Sequence, residues 1–139
     1  CAPCAGGLAS LAMARINVRR LLGVPYVRHG NDPATGLDCA GAVACVLRDH
    51  FGLDAPIGGP DAMLWSWLQS FDRVGTSADV ARELGDVVVT GPGVDPAGVY
   101  AVIDDGPCRR VVTAQPSHGV RVMRLSAVCN VIGVYRWRK

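Results

Sequence analysis

Gly85-Asp-Val-Val-Val-Thr90 opens the half of the chain in which short β-strands follow one another. Its β-branched run is typical of a strand, and later runs rich in valine and aromatic residues are separated by Gly, Pro, Asp and Ser. Asp104-Asp-Gly-Pro107 is a hairpin-turn signal between two of these runs. The pattern predicts strands at Asp86–Thr90, Ala97–Ile103, Arg110–Ala114, Gly119–Leu125 and Asn130–Trp137.

The residues before Gly85 have a helical period instead. Apolar residues at three- and four-residue spacings predict helical segments at Leu8–Leu22, Asp38–Phe51, Pro60–Phe71 and, as a single turn, Ala78–Leu84. Asp38 is the predicted N-cap of the second helix and Gly52 ends it, while residues 26–37 predict a structured loop. Helices first and adjacent strands second predict an α+β fold, with N-terminal helices packed on an antiparallel sheet of about five strands.

Length and composition indicate a single domain. The chain has 139 residues, of which 50% are hydrophobic, enough for a packed core over residues 1–139. Residues 1–7 form a predicted N-terminal extension. The formal net charge of +2 argues against a nucleic-acid partner. No run approaches about 18 apolar residues, and no charged-then-apolar leader is visible. We therefore expect neither a membrane span nor a signal peptide in the given chain.

The chain contains six cysteines, at Cys1, Cys4, Cys39, Cys45, Cys108 and Cys129. An even number in a short chain permits a disulfide framework, but the sequence does not choose among the pairings. Cys1-Ala-Pro-Cys4 also has the spacing of metal ligands. A metal or iron–sulfur site with Cys108 and Cys129 as distant partners is therefore one interpretation, and free or partly buried thiols are the other.

Gly36-Leu-Asp-Cys-Ala-Gly41 places a cysteine at the start of the second predicted helix. The N-terminus of a helix carries partial positive charge and unpaired N–H groups, which favour the nucleophilic thiolate of Cys39. The same N–H groups can receive the oxyanion of a tetrahedral intermediate. Small Ala40 and Gly41 would let a substrate backbone approach closely. The alternative is a small buried cysteine with a packing role.

Three segments follow one another in an informative order: Leu22-Gly-Val-Pro-Tyr-Val-Arg-His-Gly30, Gly36-Leu-Asp-Cys-Ala-Gly-Ala-Val43 and Gly85-Asp-Val-Val-Val89. In order, spacing and most letters they resemble the NlpC-type family of cell-wall peptidases. The typical run of that family is close to L-G-x-P-Y-x-x-G-G, then G-x-D-C-S-G-L-V, then a G-D-hydrophobic strand. The resemblance continues to Gly133-Val-Tyr-Arg136 and covers most of the chain.

This resemblance implies a papain-like α+β fold that cuts peptide bonds in peptidoglycan stems, often at a D-amino-acid linkage. It implies that Cys39 is the nucleophile. It also implies that Tyr26 is the family's helper tyrosine, whose hydroxyl lies near the nucleophile. No cofactor is implied.

The sequence departs from the family at its catalytic histidine. Pro96 stands at the position of that base, and Thr113 at the position of the family's third polar residue. Proline cannot accept a proton, and losing general acid–base help typically costs roughly 10²- to 10⁴-fold in rate. His118 and His29 are candidate replacement bases. His50 lies on the same predicted helix as Cys39 but roughly 16 Å along it, too far for a hydrogen bond.

Three functional interpretations follow. The first is a peptidoglycan cysteine peptidase of the phage-tail (tail-tip) type whose activity is weak or lost. The second is an inert structural or binding component of a tail assembly, and the third is a metal-bearing assembly protein that uses Cys1, Cys4, Cys108 and Cys129. We expect stem peptides, if the domain is active, and other tail or baseplate proteins as partners. The expected location is a virion tail tip or another extracytoplasmic site.

Overall fold

The computed structural model of the chain describes residues 15–53, 67–91 and 98–137. A two-stranded hairpin, β1 and β2, precedes the helix α1, and six strands, β3 to β8, follow it. The elements are β1 (Asn31–Asp32), β2 (Gly36–Leu37), α1 (Cys39–Phe51), β3 (Phe71–Gly75), β4 (Val87–Thr90), β5 (Val99–Asp104), β6 (Arg110–Gln115), β7 (Gly119–Arg124) and β8 (Val131–Trp137). Short 3-10 turns lie at Ala78–Val80 and Leu125–Ala127.

Strands β3 to β8 form one antiparallel sheet with the order β3-β8-β4-β5-β6-β7. Side chains alternate across it. On β5, Val99, Ala101 and Ile103 join the core beneath α1, whereas Tyr100 and Val102 join a second core on the other face. Burial on both faces explains the nearly continuous valine runs. The structure is therefore α+β with an antiparallel sheet, as predicted.

The second face of the sheet is covered by the connection between β7 and β8. Strand β7 lies at one edge, whereas β8 lies between β3 and β4, so residues 125–130 have to cross the intervening strands. Leu125 and Val128 pack in the second core with Tyr100 and Val102. The crossover therefore gives the sheet a hydrophobic layer opposite α1.

The first predicted helix is wrong over its described part. Residues 15–22 contain no helix; Arg15 forms an isolated antiparallel bridge with Asp104, and the Ile16 N–H donates to the Ile103 carbonyl at 2.8 Å. Ile16 and Val18 are both buried, a spacing of two that suits an extended segment. The end of β5 supplied a hydrogen-bonding partner that local periodicity does not reveal. Residues 8–14 of this prediction lie outside the described residues.

The sheet has one strand more than predicted, because β3 replaces the end of the third predicted helix. Trp67 is helical, but Phe71 already pairs with Trp137 in β8. Phe-Asp-Arg-Val-Gly has only a weak strand pattern, and its pairing depends on a distant partner. The predicted turn at 78–84 is a 3-10 turn at Ala78–Val80, and the predicted loop at 26–37 contains the hairpin β1–β2. Residues 60–66 lie outside the described residues.

In the described part of the chain, no helix combines the length and apolar character that crossing a bilayer requires.

Candidate functional site

The N-terminus of α1 is fixed by the cap that the sequence predicts. The Asp38 carboxylate accepts a hydrogen bond from the Gly41 N–H at 2.6 Å, and Cys39 is the first helical residue. At the other end, Gly52 adopts a left-handed φ of 69° and its N–H donates to the Arg48 carbonyl at 2.9 Å. Both ends of the helix are thus set by local sequence.

Gly41 has a different role from the predicted one. A Cβ at this position would lie 2.4 Å from the Gly30 carbonyl oxygen, so only glycine lets the loop before β1 pack on the helix. The Gly30 carbonyl also accepts from the Asp38 N–H at 3.4 Å. Close approach at Gly41 is therefore used by the protein's own loop, not kept open for a substrate backbone.

Cys39 is a free thiol at the junction between α1 and the first residue of β5. It keeps part of its surface accessible but packs against the core cluster that contains Val99. Burial is the largest influence and raises the pKa of the thiol above its ordinary value. The Val99 backbone N–H opposes this shift, and the nearby negative charge of Asp38 adds to it.

The N–H groups of Ala40 and Cys39 itself also favour the thiolate, but they do not outweigh burial. The effect of the helix N-terminus is thus present in the expected direction. Desolvation is nevertheless the stronger effect, so the pKa of Cys39 stays raised and the thiol is mainly protonated at neutral pH.

Thr113 bonds to Val99 as well, but at its carbonyl, in the peptide unit after the one whose N–H faces Cys39. It is 1% exposed, and its hydroxyl donates to the Val99 carbonyl at 2.8 Å. Alternation along β6 places Val112 and Ala114 in the core beneath α1, so the Thr113 side chain points to the opposite face. The third polar position therefore secures the backbone beside Cys39.

Tyr26 is brought next to the start of α1. It forms an isolated parallel bridge with Leu37, two residues before Cys39, and its ring packs against the same core cluster as Cys39. The neighbouring Pro25 carbonyl accepts from the Leu37 N–H at 3.0 Å. The backbone of Tyr26 is therefore held beside the residues that lead into α1.

His118 lies at the same end of the sheet as Cys39, in the exposed turn between β6 and β7. Its Nδ1 is 2.7 Å from the Ser117 hydroxyl oxygen. The Val120 N–H that follows donates to the Val24 carbonyl at 2.8 Å, which joins this turn to the segment carrying Tyr26. The structure thus brings the His118 turn to the Cys39 end of the sheet, with its imidazole bonded to the adjacent serine.

The other two histidines are placed less favourably. His29 is exposed, with a left-handed φ of 59°, and the adjacent Gly30 touches α1 at Gly41. Residues two apart on a helix lie about 200° apart around its axis, so this contact is on a different side of the helix from Cys39. His50 lies near the far end of α1 and packs edge-on against Phe51 with ring centroids 4.6 Å apart. Pro96 lies outside the described residues.

Tyr100 and Gln115 are neighbours of the site that the sequence did not single out. Burial is the largest cause of the raised pKa of the Tyr100 hydroxyl, and the charge of Cys39 raises it further. A hydrogen bond with the Gln115 side chain acts in the opposite direction. The only sequence signal was the Gly98-Val-Tyr100 run, and that run does not show on which sheet face the ring lies.

The cysteines do not support the four-thiolate site. Cys108 is in a disulfide, whereas Cys39, Cys45 and Cys129 are free. A disulfide sulfur is not a thiolate ligand, so the set Cys1, Cys4, Cys108 and Cys129 is incomplete. No group of three or more His, Cys, Asp or Glu able to hold a metal ion occurs within residues 15–53, 67–91 and 98–137. Cys1 and Cys4 lie outside these ranges.

One end of the sheet thus collects Cys39, Tyr26, the Val99 peptide and the turn with His118, while His50 lies away from them. In comparisons with known proteins, no protein-family model matches the chain. No curated protein matches it either. Cys39 and its surroundings therefore carry the functional assignment.

Proposed function

We propose that the chain is a papain-like, NlpC-type cysteine hydrolase domain that acts on peptide bonds of peptidoglycan stems, with low activity at neutral pH. The observation that carries this proposal is the position of Cys39 as first residue of α1, beside the Val99 N–H at the start of β5. A nucleophile at a helix N-terminus against a strand end has both attacking sulfur and oxyanion donors on rigid elements.

The chemistry assigns a step to each group. The Cys39 thiolate attacks the scissile carbonyl carbon, and the developing oxyanion accepts hydrogen bonds from backbone N–H groups at the start of α1. Collapse expels the amine, which takes up a proton, and leaves a thioester on Cys39. Water hydrolyses this thioester and restores the thiol. Because Pro96 cannot take the thiol proton, either His118, whose turn lies at the same end of the sheet, or a solvent base has to remove it. The raised pKa of Cys39 makes this step costly near pH 7.

Release of soluble peptides from purified peptidoglycan tests the proposal when followed from about pH 6 to about pH 10, on both sides of an ordinary thiol pKa. We expect release to rise steeply with pH and to vanish in Cys39→Ala. Cys129→Ser is the matched control, since Cys129 is also a free cysteine but exposed. If release persists in Cys39→Ala, or falls equally in both variants, Cys39 is not the nucleophile.

An inert structural role in a tail assembly is the second candidate, and two observations favour it. The pKa of the Cys39 thiol is raised by burial, and the Thr113 hydroxyl donates to a backbone carbonyl. A domain selected only for its surfaces and fold would tolerate both, together with Pro96 at the base position. No peptide release by folded protein at any pH, with stable association with other tail or baseplate proteins, is the result expected for this role.

A further inference from the structure

A second candidate site lies on the sheet face opposite α1. It is a cavity of about 250 Å³, called here the Arg109 cavity, lined by Ala78, Asp79, Pro107, Arg109, Leu125 and Ser126. Its residues come from the 3-10 turns and from the β5–β6 hairpin. That hairpin is the far end of β5 from Cys39, a strand length of about 17 Å. The cavity is therefore separate from the proposed thiol site.

The guanidinium of Arg109 lacks a partner within the part of the chain that the structure describes. Its Nε is buried and has no hydrogen-bond acceptor there, and none of the described ion pairs includes it. Buried polar groups in folded proteins nearly always have a partner. An orphaned donor in the wall of a cavity thus indicates a missing acceptor.

Asp79 supplies the opposite charge in the same wall. Its backbone bonds to Ser77 and Arg82, but its carboxylate forms no ion pair with any described residue, Arg109 included. The two charged residues line the same cavity but form no ion pair with each other. A ligand with both a carboxylate and an ammonium group would pair with both side chains, its carboxylate with the Arg109 guanidinium and its ammonium with the Asp79 carboxylate.

The remaining lining favours a small aliphatic group. Ala78, Pro107 and Leu125 are apolar, and Ser126 contributes a hydroxyl at the exposed rim. The volume lies just below the roughly 300 Å³ at which drug-sized pockets begin. The cavity therefore suits an amino acid with a short side chain better than a larger metabolite.

We propose that the Arg109 cavity binds a small zwitterionic α-amino acid with an aliphatic side chain, held through its carboxylate by Arg109 and through its ammonium by Asp79. The probe is alanine, used as separate L and D enantiomers, and the readout is saturable movement of the backbone amide signals of Asp79 and Ser126 in a ¹⁵N–¹H NMR titration. Propionate and isopropylamine each lack one of the two charges and are the ligand controls.

We expect at least one enantiomer of alanine to bind at least about tenfold more tightly than either control. Arg109→Gln and Asp79→Asn should each weaken alanine binding by about tenfold or more. Arg19→Gln, the same change at an exposed arginine outside the cavity, should leave it unchanged. If Arg109→Gln does not fold, the proposal is tested with Asp79→Asn alone, because Asp79 is exposed and its replacement should not disturb folding.

Absence of saturable shifts with both enantiomers overturns the proposal. Equal binding of propionate and alanine also overturns it, because the ammonium would then contribute nothing. Unchanged binding in Asp79→Asn would do the same. None of these readouts depends on Cys39, so the outcome is independent of whether the domain cleaves peptidoglycan.

Discussion

Arg136→Met removes the charged partner of the fully buried Asp86 carboxylate and should destabilise the fold strongly. Arg136 donates to both carboxylate oxygens of Asp86, from Nε at 2.9 Å and from Nη2 at 2.8 Å, and Asp86 is 0% exposed. The same Nη2 donates to the Val80 carbonyl at 3.2 Å. The guanidinium therefore joins β8 to the turn that precedes β4.

The expected loss in free energy of unfolding depends on which partners Asp86 keeps in the Arg136→Met variant. Removing one member of a buried ion pair typically costs about 3–5 kcal/mol. Asp86 would keep the backbone N–H groups of Arg82 and Glu83, each at 3.1 Å, and the Arg136 side chain is 34% exposed, so water can partly replace it. We therefore expect the lower end, about 3 kcal/mol, a large part of the roughly 5–15 kcal/mol of a typical domain.

Urea unfolding monitored by tryptophan fluorescence measures this loss, with the slope compared between variants to verify that only stability has changed. Arg73→Met is the matched control, because Arg73 lies on the adjacent strand β3 and, among the described residues, its side chain donates only to the exposed Ile132 carbonyl, at 2.7 Å. We expect about 0.5–1 kcal/mol for this control. Equal losses in Arg136→Met and Arg73→Met would refute the idea that an uncompensated Asp86 dominates.

The remaining predictions concern the thiol site. Alkylation of Cys39, resolved by peptide mass mapping, should gain speed only above the ordinary thiol pKa of about 8.5, because burial raises the pKa of this thiol. Asp38→Asn keeps a cap oxygen but removes a nearby negative charge, so it should shift the Cys39 profile to lower pH. An unchanged profile would contradict that assignment. Thr113→Val loses the hydrogen bond to the Val99 carbonyl and should lower the free energy of unfolding in urea by about 1 kcal/mol. It should also move the pH profile of Cys39 alkylation, and Thr113→Ser should restore that profile. A loss of stability with no change in the alkylation profile would limit Thr113 to a packing role. The pKa of Cys39 is higher in the folded than in the unfolded protein. The contribution of Cys39 to stability is therefore complete below the unfolded-state pKa of about 8.5 and is lost as the pH rises further. The free energy of unfolding should fall above this pH, and it should fall less steeply in Cys39→Ala.

The parts of the fold that sequence predicted are those whose causes are local. Helix α1 was predicted with both caps because Asp38 and Gly52 act within one turn of the ends they fix. The segment after Arg15 and strand β3 were mispredicted because their hydrogen-bond partners, Ile103 and Trp137, are far away in sequence. Short-range periodicity contains no information about such partners.

The candidate site likewise has features with local causes, which the sequence predicted, and features set by tertiary packing, which it did not predict. The sequence predicted Cys39 at a helix N-terminus, and the structure places it there. It did not predict the raised pKa, because desolvation comes from tertiary packing beside Val99. Nor did it predict that Gly41 would accommodate Gly30, since that contact depends on how the preceding loop folds back.

The position of β8 has a consequence for synthesis on the ribosome. It follows the other five strands of this sheet in chain order, yet it lies inside the sheet, where it pairs with β3 on one side and β4 on the other. Until it has left the exit tunnel, both earlier strands present bare edges, which are templates for pairing with other chains. Nascent chains stalled before Val131 should therefore be bound by chaperones, because the sheet can close only after β8 has emerged.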